Sequence, residues 1–108
     1  AALKLNPDWQ EVLNNLAWVL ATHPSPEVRN GPEAVRLAAR ACSLTGRTNL
    51  WLLSTLAAAY AEAGDYAQAI AAAQETRRLA AAAGRPDLLN LAETRLQLYQ
   101  SRRAYREQ

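Results

Sequence analysis

The 108-residue sequence predicts an all-α fold. Three observations carry that prediction. Half of the residues are hydrophobic, and many of those are alanine, the strongest helix former, while β-branched residues are scarce. Apolar residues recur at helical spacing, as in Leu13, Leu16, Ala17 and Leu20. The four glycines and five prolines fall between the periodic stretches, where helices stop and start. Phenylalanine and methionine are absent, so the expected core draws helices close over small side chains and punctuates them with Leu, Trp and Tyr. A chain of this length makes one domain and buries roughly 60–70% of its unfolded surface.

Five helices follow in order. The first is expected from about Trp9 to Thr22, opened by Asp8 and Glu11 in an Asp-x-x-Glu capping pattern. Val12, Leu13, Leu16, Ala17, Val19 and Leu20 give it a broad apolar stripe. "HPSPEVRNGP" breaks it, because Pro24 and Pro26 cannot continue a helix. The second begins near Pro32, capped by Asn30 or Gly31, and runs through "EAVRLAARACSL" to a stop at Gly46. Thr48 or Asn49 caps a third helix that reaches about Ala63. Gly64 takes the positive-φ conformation that ends it, and Asp65 caps the next, with Gln68 completing a capping-box pattern. So short a link forces a helical hairpin. The fourth helix reaches Ala83 and ends at Gly84. The fifth spans about Leu88 to Arg102, with Leu88, Leu91, Ala92, Leu96 and Tyr99 near one face.

The formal charge is +2, unevenly spread. Residues 77–108 hold seven arginines against Asp87, Glu93 and Glu107, about +4, which leaves about −2 for the rest. The bland account is a solvated helical face with a basic tail. No aromatic stacking platform accompanies these arginines in the sequence, so nucleic acid is not the expected partner. Eleven arginines against one lysine, with abundant alanine, point to a GC-rich genome. The lone Cys42 excludes an internal disulfide and reads as a small core residue. His23, the only histidine, reads as a loop residue. One His and one Cys in separate segments form no dyad, the scattered glycines form no phosphate loop, and no paired carboxylates stand out. No catalytic residue, metal site or cofactor is expected. There is no membrane-spanning run; the segment reads as soluble and consistent with the bacterial cytoplasm, which leaves the location of a parent protein open.

The pattern repeats. Leu13-x-x-Leu16-Ala17-x-x-Leu20 matches Leu53-x-x-Leu56-Ala57-x-x-Tyr60 at an offset of 40 residues. It resembles the tetratricopeptide repeat, whose pattern is W-x₂-L-G-x₂-Y followed by a spaced A, F and P. Leu13 and Leu53 stand at the tryptophan place, Leu16 and Leu56 at the leucine, Ala17 and Ala57 at the glycine, Leu20 and Tyr60 at the tyrosine. Ala34 and Ala69 match the small residue of the second helix. The sequence departs from the pattern at Ala38 and Ala73, where phenylalanine is usual, and at Gly46 and Ala81, where proline closes the repeat. Leu16 to Ala34 is 18 residues but Leu56 to Ala69 is 13, so five extra residues sit in "HPSPEVRNG". "ALKLNPDW" resembles the end of a preceding repeat, with Pro7 at the closing proline.

The resemblance implies a right-handed α-α superhelix, a solenoid of two helix-turn-helix repeats with a capping helix. Residues 1–8 would end a preceding repeat, 9–46 form a repeat with an inserted turn, 49–84 a second repeat, 87–103 a capping helix, and 104–108 a frayed tail. The chain looks similar to the terminal repeats of long bacterial repeat proteins. In such folds the first helix of each repeat lines a concave groove. Aligned on the pattern, the groove-facing positions are Glu11, Asn14, Asn15, Trp18, Ala21 and Thr22. The next repeat contributes Trp51, Ser54, Thr55, Ala58, Ala61 and Glu62. Paired asparagines suit an extended peptide backbone, and Trp18 or Trp51 suits an apolar anchor. Packing, under the insertion for Trp18 and between repeats for Trp51, is the competing role. Some members grip a peptide's terminal carboxylate with Lys, Asn and Arg. Only Asn15 resembles part of that clamp, so such recognition is not expected. The implied function is a non-catalytic module that binds a peptide or partner helix in the groove. The alternative is a structural cap or a self-associating segment, a homo-oligomer formed through an open end around Leu3, Leu5 and Trp9.

Overall fold

The computed structural model describes residues 8–45 and 49–105. Leu3, Leu5 and Pro7, the Gly46 stop, the Thr48 cap and residues 106–108 lie outside the described residues, as does the side chain of Trp9. Five helices and no strand make up the described chain: α1 (Asp8–Thr22), α2 (Gly31–Thr45), α3 (Leu50–Glu62), α4 (Tyr66–Ala82) and α5 (Pro86–Gln100). Each packs on the next, and α1 also packs on α3. The all-α prediction therefore holds. No described helix is long and apolar enough to cross a membrane.

The helix ends show why the chain turns where it does. Asn49 caps α3 by accepting hydrogen bonds from the N–H groups of Trp51 and Leu52. At its far end Gly64 adopts φ +87°. Its N–H donates to the carbonyl of Ala61, and the N–H of Asp65 donates to that of Tyr60. This is a Schellman termination, in which two otherwise orphaned carbonyls are satisfied. Asp65 then caps α4 through Gln68 N–H. The reciprocal half of the expected capping box cannot form, because the Asp65 N–H is already given to Tyr60. The same termination recurs at Gly84, with Arg85 N–H on Ala80. It recurs a third time after α5, with Arg102 at φ +61° in the glycine's place and Arg103 N–H on Leu98.

The core is built as the composition implies. Leu13 and Ala17 of α1, Ala38, Ala41 and Cys42 of α2, and Leu53 and Leu56 of α3 are buried in one cluster. A second joins Ala57, Ala69 and Ala73 to Leu96 and Tyr99 of α5. Alanine against alanine brings backbones close, and the extreme case is Gly31, whose α-carbon leaves no room for a side chain against Glu62 and Ala63. Asn30, not Gly31, caps α2, accepting from Glu33 N–H at 3.2 Å.

The expected frayed tail is corrected at its first residues. Ala104 and Tyr105 are half-buried and pack against the α3–α4–α5 cluster. The left-handed Arg102 reverses the chain after α5 and sends it back along the helices. The Arg102 guanidinium lies 5.5 Å from the Tyr66 ring centroid, a cation–π contact that holds the bend.

Candidate functional site

α1, α3 and α5 together line a concavity of about 290 Å³. Its walls are Asn14, Asn15 and Trp18 from α1, Trp51, Ser54 and Thr55 from α3, and Arg95 from α5. Helical spacing puts these side chains on one side: 14, 15 and 18 in α1 and 51, 54 and 55 in α3 are each three to four residues apart or adjacent. α2 and α4 contribute nothing to the lining. Six of the expected groove residues are therefore brought together.

The others are not, and each has a physical reason. Thr22 is fully buried, and its hydroxyl donates to the Trp18 carbonyl at 2.7 Å. Ala21 and Ala58 are buried against Ala34 of α2, and Ala61 is buried in the α3–α4–α5 cluster. Glu62 is covered by the inserted loop, where its carboxylate meets Arg29 at 3.4 Å, an ion pair too long to be a well-aligned hydrogen bond. Glu11 is exposed but does not line the concavity. The insertion shortens the groove at this end.

That insertion is itself ordered by its own polar groups. Arg29 donates through Nη1 to the carbonyls of His23, at 2.7 Å, and Pro24, at 3.1 Å. Asn30 N–H donates to the Leu20 carbonyl at 2.8 Å, and His23 Nδ1 accepts from Ser25 N–H at 2.9 Å. His23 is thus part of a loop scaffold.

Two site features carried no signal in the sequence. Arg95, placed in a basic solvated stretch, reaches into the concavity and donates through Nη1 to Ser54 Oγ at 2.7 Å. Tyr105, placed in the tail, stacks on Trp18 with ring centroids 5.6 Å apart and planes inclined by 36°. The Arg95 guanidinium lies beside the pair and against both rings, 4.9 Å from the Trp18 centroid and 4.6 Å from that of Tyr105. Two aromatic faces favour the cation electrostatically, and the stack rigidifies one wall. Trp18 therefore serves packing and lining at once, with Tyr105 of the C-terminal tail against its ring.

The opposite wall is open. Trp51 is 54% exposed, the joint largest exposure of any large hydrophobic residue described. On α1, the Asn14 side-chain oxygen is buried and has no hydrogen-bond partner among the described residues. The lining thus offers two amides, two hydroxyls, one guanidinium and an exposed indole, with no carboxylate. Thr55 is buried, and its hydroxyl donates to the Trp51 carbonyl at 3.0 Å. Among the described residues no three of His, Cys, Asp and Glu are grouped to hold a metal ion. Comparison of the chain with protein-family models, with curated proteins and with solved structures finds no match, so what the site does is argued from its geometry.

Proposed function

We propose that the chain is a tetratricopeptide-like interaction module that binds a peptide or partner helix in the concave face and performs no chemistry. The observation that carries this is the exposed Trp51 at the mouth of a concavity otherwise lined by amides, hydroxyls and one guanidinium. Leaving an indole half in water forgoes burial worth roughly 1.5–3 kcal/mol, which a bound apolar side chain recovers. Asn14 and Asn15 suit the backbone amides of an extended segment, and Arg95 suits carbonyl oxygens. The pairing of α1 with α2 and α3 with α4, the close alanine crossings, and the use of α1, α3 and α5 to form one face support the repeat architecture.

The test is selection from a displayed peptide library, followed by titration of the recovered peptide. Trp51→Ala is expected to weaken binding at least tenfold, while the fold, read by circular dichroism, stays intact. Equal affinity of the two proteins would sink the assignment. The alternative, a structural segment of a larger repeat assembly, is favoured by a separate observation, the exposed Val12, Leu16 and Val19 of α1.

A further inference from the structure

Trp18, Arg95 and Tyr105 meet at one wall of the concavity, but they are held there differently. The Trp18 ring packs against the cluster of Ala21, Ala34, Ala58 and Ala59. Arg95 is fixed from α3, where its Nη1 donates to Ser54 Oγ at 2.7 Å, and its guanidinium lies 4.9 Å from the Trp18 centroid. Both groups stand on helices and both line the concavity. Tyr105 comes instead from the stretch after α5, and it is half-buried. The chain reverses toward that seat at Arg102, with φ +61°. Such a conformation is uphill for a residue with a β-carbon, whereas Gly64 and Gly84 adopt it freely. The contacts that seat the tail therefore act against backbone strain.

We propose that Trp18 and Arg95 form a subsite for the aromatic side chain of a bound peptide, and that Tyr105 fills this subsite in cis. The proposal deepens the peptide-binding reading of the concavity and rests on it. The internal occupant shows what the subsite accepts. Tyr105 lies 5.6 Å from Trp18 between ring centroids, and its own centroid is 4.6 Å from the Arg95 guanidinium. A flat ring gains an aromatic pair from the first and a cation–π contact from the second, and an aliphatic side chain gains neither. The subsite is preformed, because Ser54 and the alanine cluster hold its two components independently of the tail. An incoming peptide thus competes with the chain's own tail. Release of the strain at Arg102 when the tail leaves keeps that competition open.

The probe is acetyl-tyrosine amide, a neutral compound too short to span the concavity, titrated into the ¹⁵N-labelled Tyr105→Ala protein. The Trp18 indole resonance, displaced by the substitution, is expected to return toward its parent position as the amide is added. Acetyl-leucine amide should bind more weakly by about fivefold or more, since it lacks a ring. The parent should bind the tyrosine amide about fivefold or more weakly than the variant does, which means that the tail leaves the subsite open about a fifth of the time or less. Adding Arg95→Met, which keeps an unbranched apolar stem, should remove the preference for tyrosine over leucine. Adding Trp51→Ala instead should leave that preference unchanged. A peptide selected against the Tyr105→Ala protein should carry an aromatic residue, and changing that residue to alanine should equalise its affinities for variant and parent. Tyr105 lies beyond the last helix, so the variant is expected to fold, as circular dichroism would verify. Equal binding of the two amides, equal affinity of parent and variant, a preference that survives Arg95→Met, or a selected peptide without an aromatic residue overturns the proposal. Failure of the peptide-binding reading itself shows elsewhere, in a selected peptide whose affinity ignores Trp51→Ala.

Discussion

A β-carbon added at Gly31 would lie 2.6 Å from both the Ala63 Cα and the Ala63 N, and 2.8 Å from the Glu62 carbonyl carbon. Carbon atoms in good contact sit about 3.5–4.0 Å apart, so the start of α2 and the end of α3 would have to separate by roughly 1 Å. All three atoms belong to the backbone, and no rotamer change relieves them. Overpacking of this kind costs about 1–3 kcal/mol. Alanine regains at most about 1 kcal/mol of helix propensity, and less in a first turn. The expected net loss for Gly31→Ala is therefore about 0.5–2.5 kcal/mol, or on the order of 2–20 °C in Tm for a domain of this size. Urea unfolding followed by far-UV circular dichroism reads it directly. Gly31→Ser separates this account from capping. A helix cap would tolerate or prefer serine, whereas a steric contact rejects serine as strongly as alanine. Ala63→Gly should not rescue either variant, because the obstructing atoms remain. A Gly31→Ala protein within about 0.5 kcal/mol of the parent would refute the close approach, as would rescue by Ala63→Gly.

Two other expectations follow from the C-terminal half. Burial pushes the Tyr99 phenol from its ordinary value of 10.0 up to about 12. A raised folded-state value means that the stability it contributes is complete below pH 10 and is lost as pH rises through about 12, by about 2–3 kcal/mol. Tyr99→Phe should flatten that window in urea titrations at successive pH values, and stay near the parent's stability at pH 7, because the hydroxyl has no protein hydrogen-bond partner. An unchanged alkaline slope would count against Tyr99 as its source. Tyr105→Ala removes one of the two rings that contact Arg95 and should cost about 1 kcal/mol. In a Trp9→Phe/Trp51→Phe background it should also red-shift Trp18 emission, and an unaltered spectrum would mean the tail is not seated there.

The local punctuation was legible in the sequence because it is local chemistry. Gly64 and Gly84 had to be left-handed, and Asp65 had to cap, for reasons contained within five residues. The internal repeat placed Asn14, Asn15, Trp18, Trp51, Ser54 and Thr55 on shared helix faces, and they do converge. Thr22, Ala58 and Glu62 share those faces and were misjudged. A repeat pattern is blind to an insertion, and the loop held by Arg29 closes over that end. Sequence alone leaves Asn30 and Gly31 as equal cap candidates, since the close approach of Gly31 to Ala63 is a tertiary fact. Arg102 shows the converse: nothing in "SRRAYREQ" marks a left-handed residue, yet the backbone there repeats the geometry that Gly64 and Gly84 announce.

The small-residue core explains why so few side chains remain to define function. Helices that cross over Ala17, Ala38, Ala57, Ala69 and Ala73 lie too close to admit bulky groups between them. Leu53, Leu56, Leu96 and Tyr99 fill the core, and other large residues lie at the edges of the packed layers, where they either cover one another or stay in water. Trp18, Arg95 and Tyr105 take the first course, and their three contributions come from three different segments of the chain. Trp51 and the α1 stripe of Val12, Leu16 and Val19 take the second. These exposed sets differ in kind. Trp51 is a single aromatic beside convergent polar groups, suited to one side chain of a ligand with its backbone held alongside. The stripe is aliphatic over two turns. One alanine-rich scaffold thus leaves two kinds of apolar side chain in water, an indole beside convergent polar groups and an aliphatic stripe that flanks the pocket-lining Asn15 through helical spacing from Val12 and Val19.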